Sequence, residues 1–183
     1  MYKLSYSMLV LCFVSYFGLH AQSTVKIDTT KESVSEVVKG FHLGIVQIVF
    51  AVNKGNLTLL DKRDFYTIGF PMGISLNTNG KLIFDLEFVP VIKPFVNSNV
   101  PYDVHLLFHP GILCPLGNGW TFGFRLAFET GAGQFGFTPL INKAFKITEH
   151  SAFFLELVAP ARFGPDKNSG YTQLAGLHLG LGF

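Results

Sequence analysis

Charge is scarce in this chain. Its 14 basic and 12 acidic residues make up 14% of 183 positions, where a soluble domain carries about a quarter. The two signs nearly cancel, and no basic block provides a footprint for nucleic acid. Cysteine is nearly absent as well. Cys12 and Cys114 are the only two; with Cys12 in the leader only Cys114 is left, so no intramolecular disulfide framework is expected to stabilise the fold. No segment offers the roughly 18 consecutive apolar residues of a membrane-spanning helix. Low charge here does not mean disorder, because 49% of the residues are apolar and 15% aromatic. The chain instead combines 20 Phe with 19 Gly, an odd pairing for a soluble core.

The start of the chain reads as an export signal. Lys3 precedes an apolar run from Met8 to Leu19 that is too short to span a bilayer as a helix. Cleavage is expected after Ala21, which makes 1–21 a signal peptide. Leu11 before Cys12 is too bulky for a lipoprotein site. Residues 22–39 are polar and read as a periplasmic N-terminal segment, with 40–183 left for a single folded domain.

From Gly40 onward the hydrophobic period is two. Eight candidate strands follow, at 41–52, 65–76, 81–92, 103–115, 119–130, 134–145, 151–162 and 171–183. Each is close to the 9–11 residues of a tilted transmembrane strand. The connections alternate in length, long at 53–64, 93–102 and 163–170 and short at 77–80, where Asn79-Gly80 is a hairpin signal, and at 116–118. The link 131–133 breaks this alternation.

Most strands separate cleanly into two faces. Trp120, Phe122, Phe124, Leu126 and Phe128 oppose Thr121, Gly123, Arg125, Ala127 and Glu129. Leu177, Leu179, Leu181 and Phe183 oppose Gly176, His178, Gly180 and Gly182. The first strand alternates poorly and puts Gln47 on the apolar side. A soluble lipocalin-like barrel would turn the apolar face inward around a ligand, and a membrane barrel would turn it outward. Three features favour the second. The polar face is rich in Gly, Ala, Ser and Thr, which fit a narrow lumen. The apolar face is nearly free of charge, and Tyr66, Trp120 and Tyr171 sit near strand ends as girdle residues. The fold class read from this pattern is all-β: an eight-stranded antiparallel up-and-down transmembrane β-barrel. It has to close, because an open edge in lipid leaves backbone groups unpaired.

The leader, the eight amphipathic strands and the ending GLHLGLGF resemble the small outer-membrane β-barrels of Gram-negative bacteria. The C-terminal Phe183 behind Leu177, Leu179 and Leu181 is similar to the signal such proteins present to the barrel-assembly machinery. The resemblance implies an outer-membrane location, lipid around the barrel and the assembly machinery as a partner during biogenesis. It covers roughly residues 40–183 and contains no catalytic motif.

On the inward face lie Asp85, Glu87, Glu129 and Glu156 against Lys81, Arg125 and Arg162, with His42, His105, His109 and His178 near them. Charges in a narrow lumen must be paired. The expectation is therefore an ion-pair network with the Arg125 fork as its hub. His105 and His109 are roughly 13 Å apart along one strand, too far to share a metal. Ser75 and Ser151 are the strand-region serines, and neither has a histidine beside it in sequence; Glu156 and His178 can pair, with no nucleophile evident. The reading is a monomeric, non-enzymatic barrel with a packed charged lumen. Its role is structural in the envelope, or adhesion and binding of an extracellular ligand through the loops, without a metal or cofactor. The alternatives are a lipid-modifying acyl hydrolase or transferase and a secreted lipocalin-like barrel. Substitution Ala127→Ser is expected to be tolerated.

Overall fold

A computed structural model of the chain describes residues 37–60, 67–94, 102–131, 133–164 and 170–183. The leader, the segment up to residue 36 and Tyr66 lie outside these. Eleven strand segments form one antiparallel sheet: β1 (Val38–Asn53), β2 (Asn56–Leu59), β3 (Ile68–Gly69), β4 (Met72–Asn77), β5 (Ile83–Pro94), β6 (Tyr102–Gly117), β7 (Trp120–Glu129), β8 (Gln134–Lys146), β9 (Ala152–Val158), β10 (Ala161–Phe163) and β11 (Tyr171–Gly182). They make eight staves, because β2, β3 and β4 follow one another along β1, and β9 and β10 run in line between β8 and β11. β11 pairs with β1 and closes the barrel. Phe41 N donates to Phe183 O at 2.7 Å and Phe183 N to Phe41 O at 2.9 Å, so the last residue is clasped to the first stave.

The first connection differs from the expectation of a long loop at 53–64. β1 runs to Asn53 and turns at once through Lys54 and Gly55, both at positive φ, into β2. The hairpin signalled by Asn79-Gly80 forms between β4 and β5, without a left-handed residue, since neither has positive φ. That turn is held instead by Thr78, whose Oγ1 accepts from Gly80 N and donates to Leu82 O. The start of β1 also lies two residues earlier than residue 40.

The poor alternation of the first strand has a local cause. The register of β1 against β11 shifts between Ile48 and Phe50. Up to the bulge the even-numbered residues face the lumen; beyond it Ala51 does. One extra residue flips every later side chain. Gln47, at this irregularity, is half-buried and donates to Ile48 O and Thr67 O at 2.9 Å each, so its amide is satisfied.

Four prolines interrupt the ladder in two places. Pro71 separates β3 from β4 and lies beside Pro90 of β5; Pro160 separates β9 from β10 and lies beside Pro139 of β8. Each proline accepts one cross-strand bond: Phe70 N to Pro90 O at 2.9 Å, Gly44 N to Pro71 O at 2.9 Å, Ala159 N to Pro139 O at 3.0 Å and Leu174 N to Pro160 O at 2.7 Å. None can return one, because proline has no N–H.

The outward face is apolar almost throughout. Along β7 the outward residues Trp120, Phe122, Phe124, Leu126 and Phe128 are 43–49% exposed, while Arg125 is 3% and Ala127 0% exposed. Leu177, Leu179, Leu181 and Phe183 are likewise outward on β11. Among the described residues ten polar or charged ones, including Asp85, Glu87, Thr138 and Glu156, are buried inside. Trp120 stands at the start of β7 and Tyr171 at the start of β11, at opposite ends of the barrel.

Candidate functional site

The lumen has two levels. One is an ionic belt to which all eight staves contribute. Arg125 on β7 is its hub: Nε donates to Asp85 Oδ2 at 2.8 Å, Nη1 to Glu156 Oε1 at 3.0 Å, and Nη2 lies 3.5 Å from Glu87 Oε2. Around it, Ser75 Oγ donates to Asp85 at 2.8 Å, His109 Nδ1 meets Glu87 Oε1 at 3.1 Å, and Asn142 Nδ2 donates to Glu156 at 3.4 Å. His178 lies directly opposite Glu156 in the β11–β9 ladder, with Nδ1 3.0 Å from Oε1. His42 on β1 completes the ring, 3.2 Å from Glu87 and 3.9 Å from Asp85.

Glycine makes the belt possible. A Cβ at Gly44 would lie 2.7 Å from His178 Nε2, one at Gly111 2.5 Å from Arg125 Cγ, and one at Gly73 in collision with the His42 ring. The small residues of the inward face are the space into which large polar ones fold.

Several expectations need correction. Arg162 is buried but stands apart from the ion-pair network. Its Nη1 reaches Phe137 O, Thr138 Oγ1 and Ala161 O and its Nη2 His109 Nε2, all at 3.2 Å. Among the described residues no carboxylate lies within the 4.0 Å of an ion pair. The reason is register. Arg162 pairs with Gly136 and Thr172, nearer the β10 end of the stave than the Glu156 level. Glu129 also lies outside the belt and meets His105 Nδ1 at 2.6 Å. Lys81 is exposed in the turn before β5. Two hydroxyls are part of the lumen: Ser75, weighed from the sequence only as a nucleophile, bonds Asp85, and Thr138, which sequence reading passed over, meets His109. The only signal in the sequence was parity: Ser75 shares its face with Gly73, and Thr138 with Gly136 and Asn142.

The second level is a chamber. On the β10 side of the belt the lumen opens into a cavity of about 230 Å³, with walls that include Val46, Ile48, Val89, Val91, Leu107 and Leu174. Glu87, Arg125, Glu156, His109 and His178 border it at the belt, and Arg162, Thr138 and Pro160 along the β8 and β9–β10 wall. A smaller cavity of about 130 Å³ lies on the other side of Arg125 and Glu156. The lumen is therefore not packed along its whole length.

Chemically, the belt braces the wall. A hydroxyl–imidazole–carboxylate chain runs from Thr138 Oγ1 to His109 Nε2 at 3.3 Å and from His109 Nδ1 to Glu87. Arg162 shares the same imidazole nitrogen. Among the described residues no three metal-ligating side chains converge. Comparison with protein-family models, curated proteins and solved structures finds no match to this chain.

Proposed function

We propose that the chain is an integral outer-membrane β-barrel that works by binding rather than by catalysis. The observation that carries this reading is the inverted arrangement of its two faces. Among the described residues thirty-three large apolar ones stand exposed, most of them on strands, while the buried set includes Asp85, Glu87, Arg125 and Glu156. In water the outward band would form an apolar surface far beyond the few hundred Å² that soluble monomers show. In hydrocarbon it is the matching solvent, and a closed sheet leaves few backbone groups to satisfy there. Trp120 and Tyr171 at opposite ends stand where headgroups would lie. Tyr171 OH already donates to Gln173 at 2.6 Å, and Lys143 Nζ sits 5.1 Å from the Trp120 ring.

Fractionation tests the reading. Expressed with its leader in a Gram-negative host, the protein is expected in the outer-membrane fraction. It should migrate faster on gels unboiled than boiled. Recovery from the periplasm without detergent would instead favour a soluble ligand-binding barrel.

The Thr138–His109–Glu87 chain favours one second reading, an acyl hydrolase or transferase. Binding is preferred because Arg162 competes for the His109 lone pair that would take the Thr138 proton. Release of fatty acid from phospholipid or lipopolysaccharide by the purified barrel, lost in Thr138→Val, would reverse that preference.

A further inference from the structure

We propose that the chamber binds a single medium-length acyl chain, its carboxylate or ester oxygens held by Arg162, and that the chain enters through the wall between β8 and β9–β10. This rests on the membrane reading for the source of the chain, and on the lumen geometry for the site itself.

The volume and walls select the chemistry. An apolar cavity of about 150 Å³ already accepts a benzene-sized molecule. At about 30 Å³ per water-sized group, a cavity of about 230 Å³ has room for roughly eight methylenes. Val46, Ile48, Val89, Val91, Leu107 and Leu174 offer such a chain contact and no hydrogen bond. A hollow of this size forfeits the packing that close-packed interiors gain elsewhere.

Arg162 selects the end group. Its guanidinium is buried, 5% exposed; among the described residues its hydrogen-bond partners are neutral, three oxygens and one imidazole nitrogen, and Glu129 acts on it only from beyond ion-pair distance. The Glu129 carboxylate is engaged by His105 at 2.6 Å. A buried cation with no carboxylate in ion-pair range among the described residues is costly, and a planar fork suits a carboxylate or ester. The same wall supplies the route. Pro139 and Pro160 remove two reciprocal ladder bonds beside the chamber, and Arg162 follows Pro160 by two positions. The Pro71–Pro90 wall is weakened in the same way, but its chamber-lining charge, Glu87, is an anion already held by His42, His109 and Arg125.

A free fatty acid and the chain of a lipid share this chemistry, so the test separates them. The barrel is reconstituted in nanodiscs of long-chain phosphatidylcholine and titrated with carboxyl-¹³C decanoate, methyl decanoate or decanoyl lysophosphatidylcholine. Saturable one-to-one binding of decanoate is expected. Binding of decanoate alone assigns a free fatty acid, and equal binding of the lysolipid a lipid-borne chain. Ala51→Phe, which fills the chamber, should abolish binding of every probe, with Leu174→Phe as the second filling variant. Arg162→Met should weaken decanoate about tenfold or more and methyl decanoate less. Thr121→Val, at the smaller cavity, should change nothing. Pro139→Ala with Pro160→Ala should change the rate of entry and leave the affinity unchanged. Variants are compared only where faster migration unboiled shows a folded barrel. Non-saturable uptake, or saturable binding that both filling variants leave intact, overturns the site; an unchanged entry rate overturns the route. A wild-type barrel that enters nanodiscs and binds no probe defeats this inference alone, whereas one that never enters them defeats the membrane reading.

Discussion

The two faces of β7 share one backbone and follow opposite rules. Outward, Trp120 to Phe128 present ring after ring with no charge among them. Inward, Gly123, Arg125, Ala127 and Glu129 alternate small and ionic residues. A strand at the surface of a soluble protein would reverse this, since ionic groups would face water and rings the core. The inward charges are tolerated because each is paired: Arg125 with three carboxylates, Glu129 with His105. The outward rings need no such pairing. They stack along the wall, Phe124 on Phe137 at 5.5 Å and Phe135 on Phe163 at 5.6 Å. The inside of this barrel is thus specified by bonds and its outside by solvent.

Substitutions along that strand should separate the two faces. The largest effect is expected from Arg125→Leu, which strands Asp85, Glu87 and Glu156 as buried carboxylates and should cost about 3–5 kcal/mol, read by urea unfolding of the lipid-reconstituted barrel. Adding Glu156→Gln should recover part of the loss. Phe124→Arg, on the outward face, should cost about 2–4 kcal/mol if that face meets hydrocarbon, with Phe124→Leu much milder. A water-facing position would accept the arginine within about 0.5 kcal/mol.

Ala127→Ser sharpens the inward half. Sequence reading counted it as tolerated because Ala127 shares a face with charged residues. In the fold Ala127 is 0% exposed and packed with Val89, Val91 and Leu107. A hydroxyl without a partner there should cost about 1–3 kcal/mol. A similar equilibrium effect is expected for deletion of Phe183, which removes two hydrogen bonds to Phe41 at about 1 kcal/mol each. Its assembly in cells should fall further than its stability after refolding in detergent, and an unchanged outer-membrane yield would remove the C-terminal signal from the account.

The alternation of β7 and β11 was legible because a two-residue period is local. Strand count and closure followed from it. What escaped was everything set by neighbours. The bulge beside Ile48 is a property of the β1–β11 pairing, so Gln47 looked misplaced in isolation. The separation of Arg162 from the Arg125 belt depends on the stagger between staves, which no single strand records. The chamber escaped for the same reason: Val46, Val89 and Leu107 face the lumen like their charged neighbours, but at another height. Pro71, Pro90, Pro139 and Pro160 were visible in the sequence, and only the ladder brings them together two by two.

Spin labels placed singly at Phe122, Phe124, Leu126 and Leu179, and at inward Ala127 and Thr138, in a Cys114→Ser background, test the orientation most directly. In lipid vesicles the four outward labels should collide readily with oxygen and hardly at all with a water-soluble nickel complex, while the two inward labels should be shielded from oxygen. Nickel reaching the labels at Phe124 and Leu179 as freely as it reaches an exposed surface residue would contradict the account.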